Sequence, residues 1–261
     1  MTTIYEPKPG SPAREYSPLA LNIYSGCDHG CTYCYNKRFD KGEAVPRKGL
    51  TEALLKYLRN HEVKDQVLLS FLGDPYPFKP YFPNDSMFTV TSQVLQLLYL
   101  YDVPTSILTK GGTRCLGDLS FFDTMTRKGI VKVGASLTFP SGNSEWQDIE
   151  PYAASPEHRI DALKTLHNYH VPTWVSLEPI ISEEYALQII QETHEFVDEY
   201  RFGKLNYAKI GDVDWNHTAN AVVDLLMKYD KKFYIKKNLQ GYVKDLPEWA
   251  VDPDYLALRR E

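Results

Sequence analysis

Short apolar runs alternate along this chain with longer amphipathic stretches, about six times over. The runs at 19–24, 66–71, 105–109, 131–138, 173–177 and 205–210 are short and dominated by apolar residues. Runs of that length and composition predict buried strands. Between them, helical periodicity predicts helices over 51–60, from a cap at Asn84, Asp85 or Ser86 to about 101, and over 118–127, 155–169, 182–200 and 218–229. Ser155 followed by Pro156 is the clearest start signal, a side-chain cap with proline at the first helical position. Residues 233–235 predict a short final strand. The Pro-, Gly- and charge-rich residues 1–17 predict an irregular arm, 18–238 the core domain, and 239–261 a tail with few apolar residues in register.

Strands separated by helices of ten residues or so are the pattern of parallel βαβ units with right-handed crossovers. Periodicity alone leaves two architectures open, an open doubly wound sheet and a barrel or partial barrel. In both, ligands bind beyond the C-terminal ends of the strands. Polar or special residues gather at those ends: Cys27, Gly73 and Asp74, Lys110, Ser136 and Thr138, Ser176 and Glu178. Each alone is an ordinary turn former or a solvated lysine, but together they predict one functional rim.

Composition adds limits. At 261 residues the chain has room for one large α/β domain or two small ones, and 43% hydrophobic residues suffice for a core. A net charge of −5 argues against a surface built to neutralise many phosphates, although a local basic groove remains compatible with it. Lys231, Lys232, Lys236 and Lys237 form the densest basic cluster and read equally well as a solvated edge. No apolar run approaches a membrane span, and the first residues do not have the pattern of a signal peptide. Four cysteines, with three of them clustered, are not a disulfide framework and predict a reducing, cytoplasmic setting.

That cluster is the strongest chemical signal. Cys27, Cys31 and Cys34 have the spacing C-x₃-C-x₂-C, with Tyr33 just before the third. Three thiolates this close suit a soft metal site, iron–sulfur or zinc. A closed zinc site needs a fourth protein ligand. Cys115 is remote in sequence, while His29, between two of the cysteines, or a distant histidine would complete a Cys₃His site. An iron–sulfur cube on three cysteines keeps one iron open to a small molecule.

C-x₃-C-x-aromatic-C at the end of an early strand resembles the signature of the radical S-adenosylmethionine (SAM) superfamily. The resemblance implies a (β/α)₆ partial TIM barrel as a single α/β domain. It also implies a [4Fe–4S] cluster on Cys27, Cys31 and Cys34, with SAM on the fourth iron. One electron then cleaves SAM to methionine and a 5′-deoxyadenosyl radical, which abstracts hydrogen from a substrate. Gly73-Asp74-Pro75 stands where the family has a Gly-Gly-Glu-Pro-like turn against the SAM amino group, and departs from its commonest form. Within the superfamily, Gly73-Asp74-Pro75-Tyr76, Thr109-Lys110, Ala135-Ser136-Leu137-Thr138, Glu150-Pro151 with Arg159, and Glu178-Pro179-Ile180 are similar, in order, to landmarks of the spore photoproduct lyase-like group.

Carried over residue by residue, Tyr33 would face adenine and Lys110 the SAM carboxylate or ribose. Gly73, Asp74, Ser136, Thr138 and Glu178 would complete the SAM site. Tyr35 and Cys115 are the candidate catalytic residues, Cys115 on condition that its loop turns inward. The lyase's hydrogen-returning cysteine aligns with Phe71, which has no such hydrogen, so the expected substrate is not the spore photoproduct. A nucleotide, a nucleic acid or a protein side chain remains open, and a flavodoxin- or ferredoxin-like electron donor is implied. The alternatives are a radical-generating activase of a protein partner, and a non-catalytic iron–sulfur or zinc-binding protein.

Overall fold

A computed structural model describes residues 3–35, 42–83, 86–204 and 213–256. The chain begins with β1 (Leu19–Leu21), then β2 (Tyr24–Ser25) and β3 (Val45–Pro46), which pair antiparallel as a small ribbon. There follow α1 (Leu50–Leu58), β4 (Val67–Leu69), α2 (Val90–Leu100), β5 (Thr105–Thr109), α3 (Leu119–Arg127) and β6 (Val131–Ser136). The second half holds α4 (Trp146–Ile149), α5 (Pro156–Asn168), β7 (Thr173–Ile180), α6 (Glu183–Thr193), β8 (Glu199–Lys204), α7 (Trp215–Lys228), β9 (Lys232–Ile235) and α8 (Lys237–Gln240).

Seven strands form one parallel sheet in the order β1-β4-β5-β6-β7-β8-β9, which is the order of the chain. A doubly wound sheet reverses its winding at a switch point, and this one never does. The winding is therefore that of a barrel, and it stays partial because β1 and β9 do not pair among the described residues. The outer edge of β1 is covered by Tyr5, which exchanges both backbone hydrogen bonds with Ala20 at 3.0 and 2.9 Å.

Helices cover the outer face in two apolar layers. Leu54, Leu58, Val94, Leu98, Phe122 and Met125 pack on the first half of the sheet. Ile160, Leu163, Ile190, Val222 and Leu226 pack on the second half. Ser155 caps α5 by accepting from His158 N at 3.3 Å, as its sequence predicts. Helix α2 is capped by Thr89, which accepts from Ser92 N at 3.1 Å, rather than by Ser86. Asn84 and Asp85 lie outside the described residues. No helix among the described residues is long and apolar enough to cross a membrane.

The largest departure from the sequence reading is at 194–204. The helix predicted to run to about residue 200 ends at Thr193, and Glu199–Lys204 is a strand. The predicted strand at 205–210 lies outside the described residues. Tyr200 and Phe202 point into the apolar layer, whereas Glu199 and Arg201 alternate with them toward the barrel lumen. Charged residues at alternate positions of a strand commonly face solvent, but here they neutralise one another indoors. Glu199 accepts from Lys132 Nζ at 2.8 Å and from Arg201 Nε at 2.6 Å. Arg201 also donates to the carbonyls of Glu15 (2.9 Å) and Pro253 (2.5 Å), tying both ends of the chain into the lumen.

Candidate active site

The strand C-termini open into a cavity of about 410 Å³, within the range of small-molecule sites. Cys27, Cys31 and Cys34 all line it, on the loop that follows β2, and none of them forms a disulfide. The loop is held from three sides. The Asp28 carboxylate accepts from Phe78 N and Lys79 N, each at 2.9 Å. Thr32 N donates to Ile149 O at 2.8 Å, and Tyr152 N to His29 O at 3.1 Å. From the third side Gly73 presses on Gly26, where a Cβ on Gly73 would stand 2.7 Å from the Gly26 carbonyl oxygen. Gly73→Ala is expected to push the cysteine loop aside and cost about 1–3 kcal/mol, read as a lower urea midpoint. An unchanged midpoint would show that the loop yields freely.

Burial pushes the Cys27 thiol far up and Cys31 to about 12, with Asp74 and Glu150 respectively adding to it. Such thiols become thiolates only against a bound cation, so metal binding here must release protons. Among the described residues no three His, Cys, Asp or Glu side chains are gathered as for a single metal ion. A cube, which takes one thiolate at each of three corners, suits thiols spread around a cavity wall better than one shared ion does. His29 is 1% exposed. Its Nδ1 lies 3.5 Å from Asp74 Oδ2 and its Nε2 3.0 Å from Arg114 Nη2. Burial lowers its pKa, against the pull of Asp74, and a neutral ring engaged at both nitrogens has no lone pair left for a metal.

Lys110, at the end of β5, reaches the cavity between two groups. Its Nζ is 3.7 Å from Glu150 Oε1 and 5.7 Å from the centroid of the Tyr33 ring. Glu150 is fully buried, and its other oxygen takes Arg159 Nη2 at 2.5 Å. Burial alone would raise the Glu150 carboxyl, but Arg159, Lys110 and the Tyr33 hydroxyl, which donates to it, hold it below its ordinary value. Asp74 fixes the backbone of Lys110. It accepts from Lys110 N at 2.7 Å, Thr109 Oγ1 at 2.6 Å and Tyr76 N at 2.8 Å.

The predicted site residues do not all reach the cavity. Tyr33, Gly73, Asp74, Lys110, Ser136 and Glu178 line it. Tyr35 lines it too, 40% exposed, with its hydroxyl donating to Phe71 O at 2.6 Å. Thr138 is buried behind Tyr33, hydroxyl to hydroxyl at 3.3 Å, and is not on the wall. The expectation for Cys115 is overturned. Its turn faces the core and not the cavity, the residue is 1% exposed among apolar neighbours, and burial pushes its thiol up to about 12. In the loop at 76–82, Tyr76 is buried, whereas Phe78, Tyr81 and Phe82 are each nearly half exposed.

Three ionisable wall residues escape a reading of the sequence as site residues: Tyr16, Lys204 and Lys236. Lys236 follows the last strand as Lys110 follows β5, so the strand-end rule reaches it, but in the sequence it is hidden among Lys231, Lys232 and Lys237. Tyr16 sits in the irregular arm, where no periodicity marks it.

Residues 21–197 match the family described as the radical SAM superfamily. The chain is 31% identical over 191 residues to Uncharacterized protein MJ0683 of Methanocaldococcus jannaschii, covering 71% of this chain and 70% of that one. Among solved structures, spore photoproduct lyase with bound AdoMet and dinucleoside spore photoproduct superposes with a TM-score of 0.65 at 11% identity, over 87% of this chain and 78% of the lyase. SuiB of Streptococcus suis bound to S-adenosylmethionine gives 0.59 at 15% identity, over 83% of this chain, which spans about half of SuiB (49%). At such identities the likeness is one of fold.

Proposed function

Because the chain belongs to the radical SAM superfamily, whose members use a [4Fe–4S] cluster and SAM, we propose that it is an enzyme that cleaves SAM reductively to abstract hydrogen from a substrate. The observation that carries this reading is the meeting of three cysteines, none in a disulfide, and Lys110 on one cavity wall at the C-terminal ends of a parallel sheet. When bound, the cluster and SAM together supply a carbon-centred radical.

The protein's own part is to hold and orient. Cys27, Cys31 and Cys34 take three irons. Lys110 offers an ammonium to the SAM carboxylate, steadied by Glu150 beside it and by Asp74 at its backbone. Asp74 and Glu178 already carry hydrogen-bonding partners on their carboxylates, so they serve the site through Lys110 and Lys236 rather than by touching SAM. Thr138 likewise acts through Tyr33. Ser136 presents a hydroxyl and Tyr33 a flat face, while Leu68, Leu69 and Leu108 supply apolar wall that excludes water. The reductant is a low-potential one-electron donor of the flavodoxin or ferredoxin class.

The substrate proposed is a nucleotide, nucleic acid or protein group other than the spore photoproduct, because Phe71 on the wall stands where the lyase's hydrogen-returning thiol aligns. Anaerobic reconstitution with iron and sulfide, followed by SAM and dithionite, is expected to yield 5′-deoxyadenosine, whose absence would overturn the reading. Efficient conversion of dinucleoside spore photoproduct would overturn the substrate assignment. Lys110→Ala is expected to weaken SAM binding about ten- to a hundredfold, the worth of one charge-assisted hydrogen bond, with iron content unchanged. Unchanged affinity would remove Lys110 from the site.

A further inference from the structure

Away from the cysteine loop the cavity wall carries a second polar cluster, assembled from parts of the chain remote in sequence. Tyr16 comes from the N-terminal arm, Ser176 and Glu178 from β7, and Lys236 from the residue after β9. The Tyr16 hydroxyl donates to Glu178 Oε2 and lies 2.9 Å from Ser176 Oγ, which therefore donates to it. Lys236 Nζ is 2.8 and 3.0 Å from the two Glu178 oxygens and 4.6 Å from the centroid of the Tyr16 ring. That ring packs against Phe71 and Trp174 at centroid distances of 6.2 and 6.1 Å. Tyr16 and Lys236 fall outside residues 21–197, which match the superfamily, whereas Ser176 and Glu178 fall inside.

A buried ion pair adds little net stability, and apolar residues of the same volume would hold the arm as well. What the cluster offers is a phenol on the cavity wall. A phenoxyl radical spreads over its ring, so a phenol O–H is weaker than an aliphatic C–H or an alcohol O–H. The other thiols and phenols on the wall have engagements or proposed roles of their own, and Tyr35 is the one a test must separate from Tyr16. The three thiols are the proposed cluster ligands. Tyr33 is clamped by Glu150 and Thr138, and Tyr35 donates to the Phe71 carbonyl. Burial, with Glu178 adding to it, holds Tyr16 well above the ordinary phenol pKa, so the hydrogen stays on the oxygen at any working pH.

From this geometry we infer that Tyr16 is a catalytic hydrogen-atom donor to carbon radicals formed in the cavity. The O–H bond of Tyr16 breaks, a C–H bond forms on the radical carbon, and Tyr16 is left as a phenoxyl radical. Ser176 and Lys236 remain beside the phenoxyl oxygen and ring. One electron from the low-potential donor and one proton from water, passed through Glu178, restore the phenol.

The inference rests on the proposed SAM cleavage, and one experiment separates the two. Reconstituted enzyme is given SAM and dithionite in D₂O without substrate, so that the radical derived from SAM is itself the acceptor. Formation of 5′-deoxyadenosine tests the cleavage, and deuterium within it tests the donor. The expected result is singly deuterated product and a tyrosyl EPR signal, with both the label and the signal lost in Tyr16→Phe. Unlabelled product from the wild type overturns the inference, as does label that survives Tyr16→Phe and disappears in Tyr35→Phe. If Tyr16→Phe fails to fold, trifluorotyrosine placed at position 16 keeps the ring and hydroxyl. It must change the EPR hyperfine pattern, and an unchanged pattern is equally fatal.

Discussion

Replacing any one of Cys27, Cys31 and Cys34 by alanine is expected to abolish both the visible absorbance of the reconstituted protein and its cleavage of SAM. The three are the only thiols on the cavity wall among the described residues, since Cys115 is buried in the core. A cube held by two protein thiolates has two irons open to solvent, and neither His29 nor Asp74 can take the vacated place. His29 has both ring nitrogens engaged, and Asp74 is spent on Lys110, Thr109 and Tyr76. Iron and sulfide analysis beside the absorbance spectrum checks the cluster, and 5′-deoxyadenosine checks the chemistry. Cys115→Ala should keep full iron content. If the triple variant still took up iron and sulfide in full amount, the cluster site would lie elsewhere.

The largest expected effect on stability belongs to Glu150. Its carboxylate is fully buried against an equally buried Arg159 and also serves Lys110 and Tyr33. Glu150→Ala leaves the Arg159 guanidinium charged and without its carboxylate in the interior, which costs about 3–5 kcal/mol. Urea denaturation at neutral pH measures it, and a loss under about 1 kcal/mol would mean that water or another group reaches Arg159. Glu150→Leu combined with Arg159→Met should recover much of the loss, because the charge leaves with its partner. The folded pKa of Glu150 lies below its ordinary value of 4.5. The folded state therefore binds this proton less readily than the unfolded chain, so the contribution is fully present above about pH 4.5 and drains away as pH falls further. The wild type should lose its advantage over the alanine variant through that acid range.

Lys110 and Glu150 also show how a site can be half legible. The strand-end rule reaches Lys110 from sequence, because the position depends only on where a short apolar run stops. What makes the lysine useful is the carboxylate beside it, 40 residues later, and that proximity is set by how β5 and β6 lie side by side. Asp74 gives the opposite lesson. As a carboxylate at a strand end it invites a role as a ligand, yet Tyr76 from its own turn and Thr109 and Lys110 from the end of β5 already donate to its two oxygens.

The sequence by itself determined what is written in local spacing. The cysteine triplet lies within eight residues, and the alternation of short strands and helices follows from hydrophobic period, so the cysteine loop and the α/β class need no tertiary contact to be seen. The tertiary structure alone decided whatever depends on which way a side chain faces or which distant segment arrives beside it. Barrel winding, rather than a doubly wound sheet, came from strand order. Glu199 and Arg201 became lumen residues because curvature gives the sheet an inside, where charge alternation no longer means solvent. Cys115 turned into the core because its turn packs that way. Tyr16 and Lys236, more than 200 residues apart, met on the cavity wall because closing a partial barrel brings the arm and the last strand to the same place.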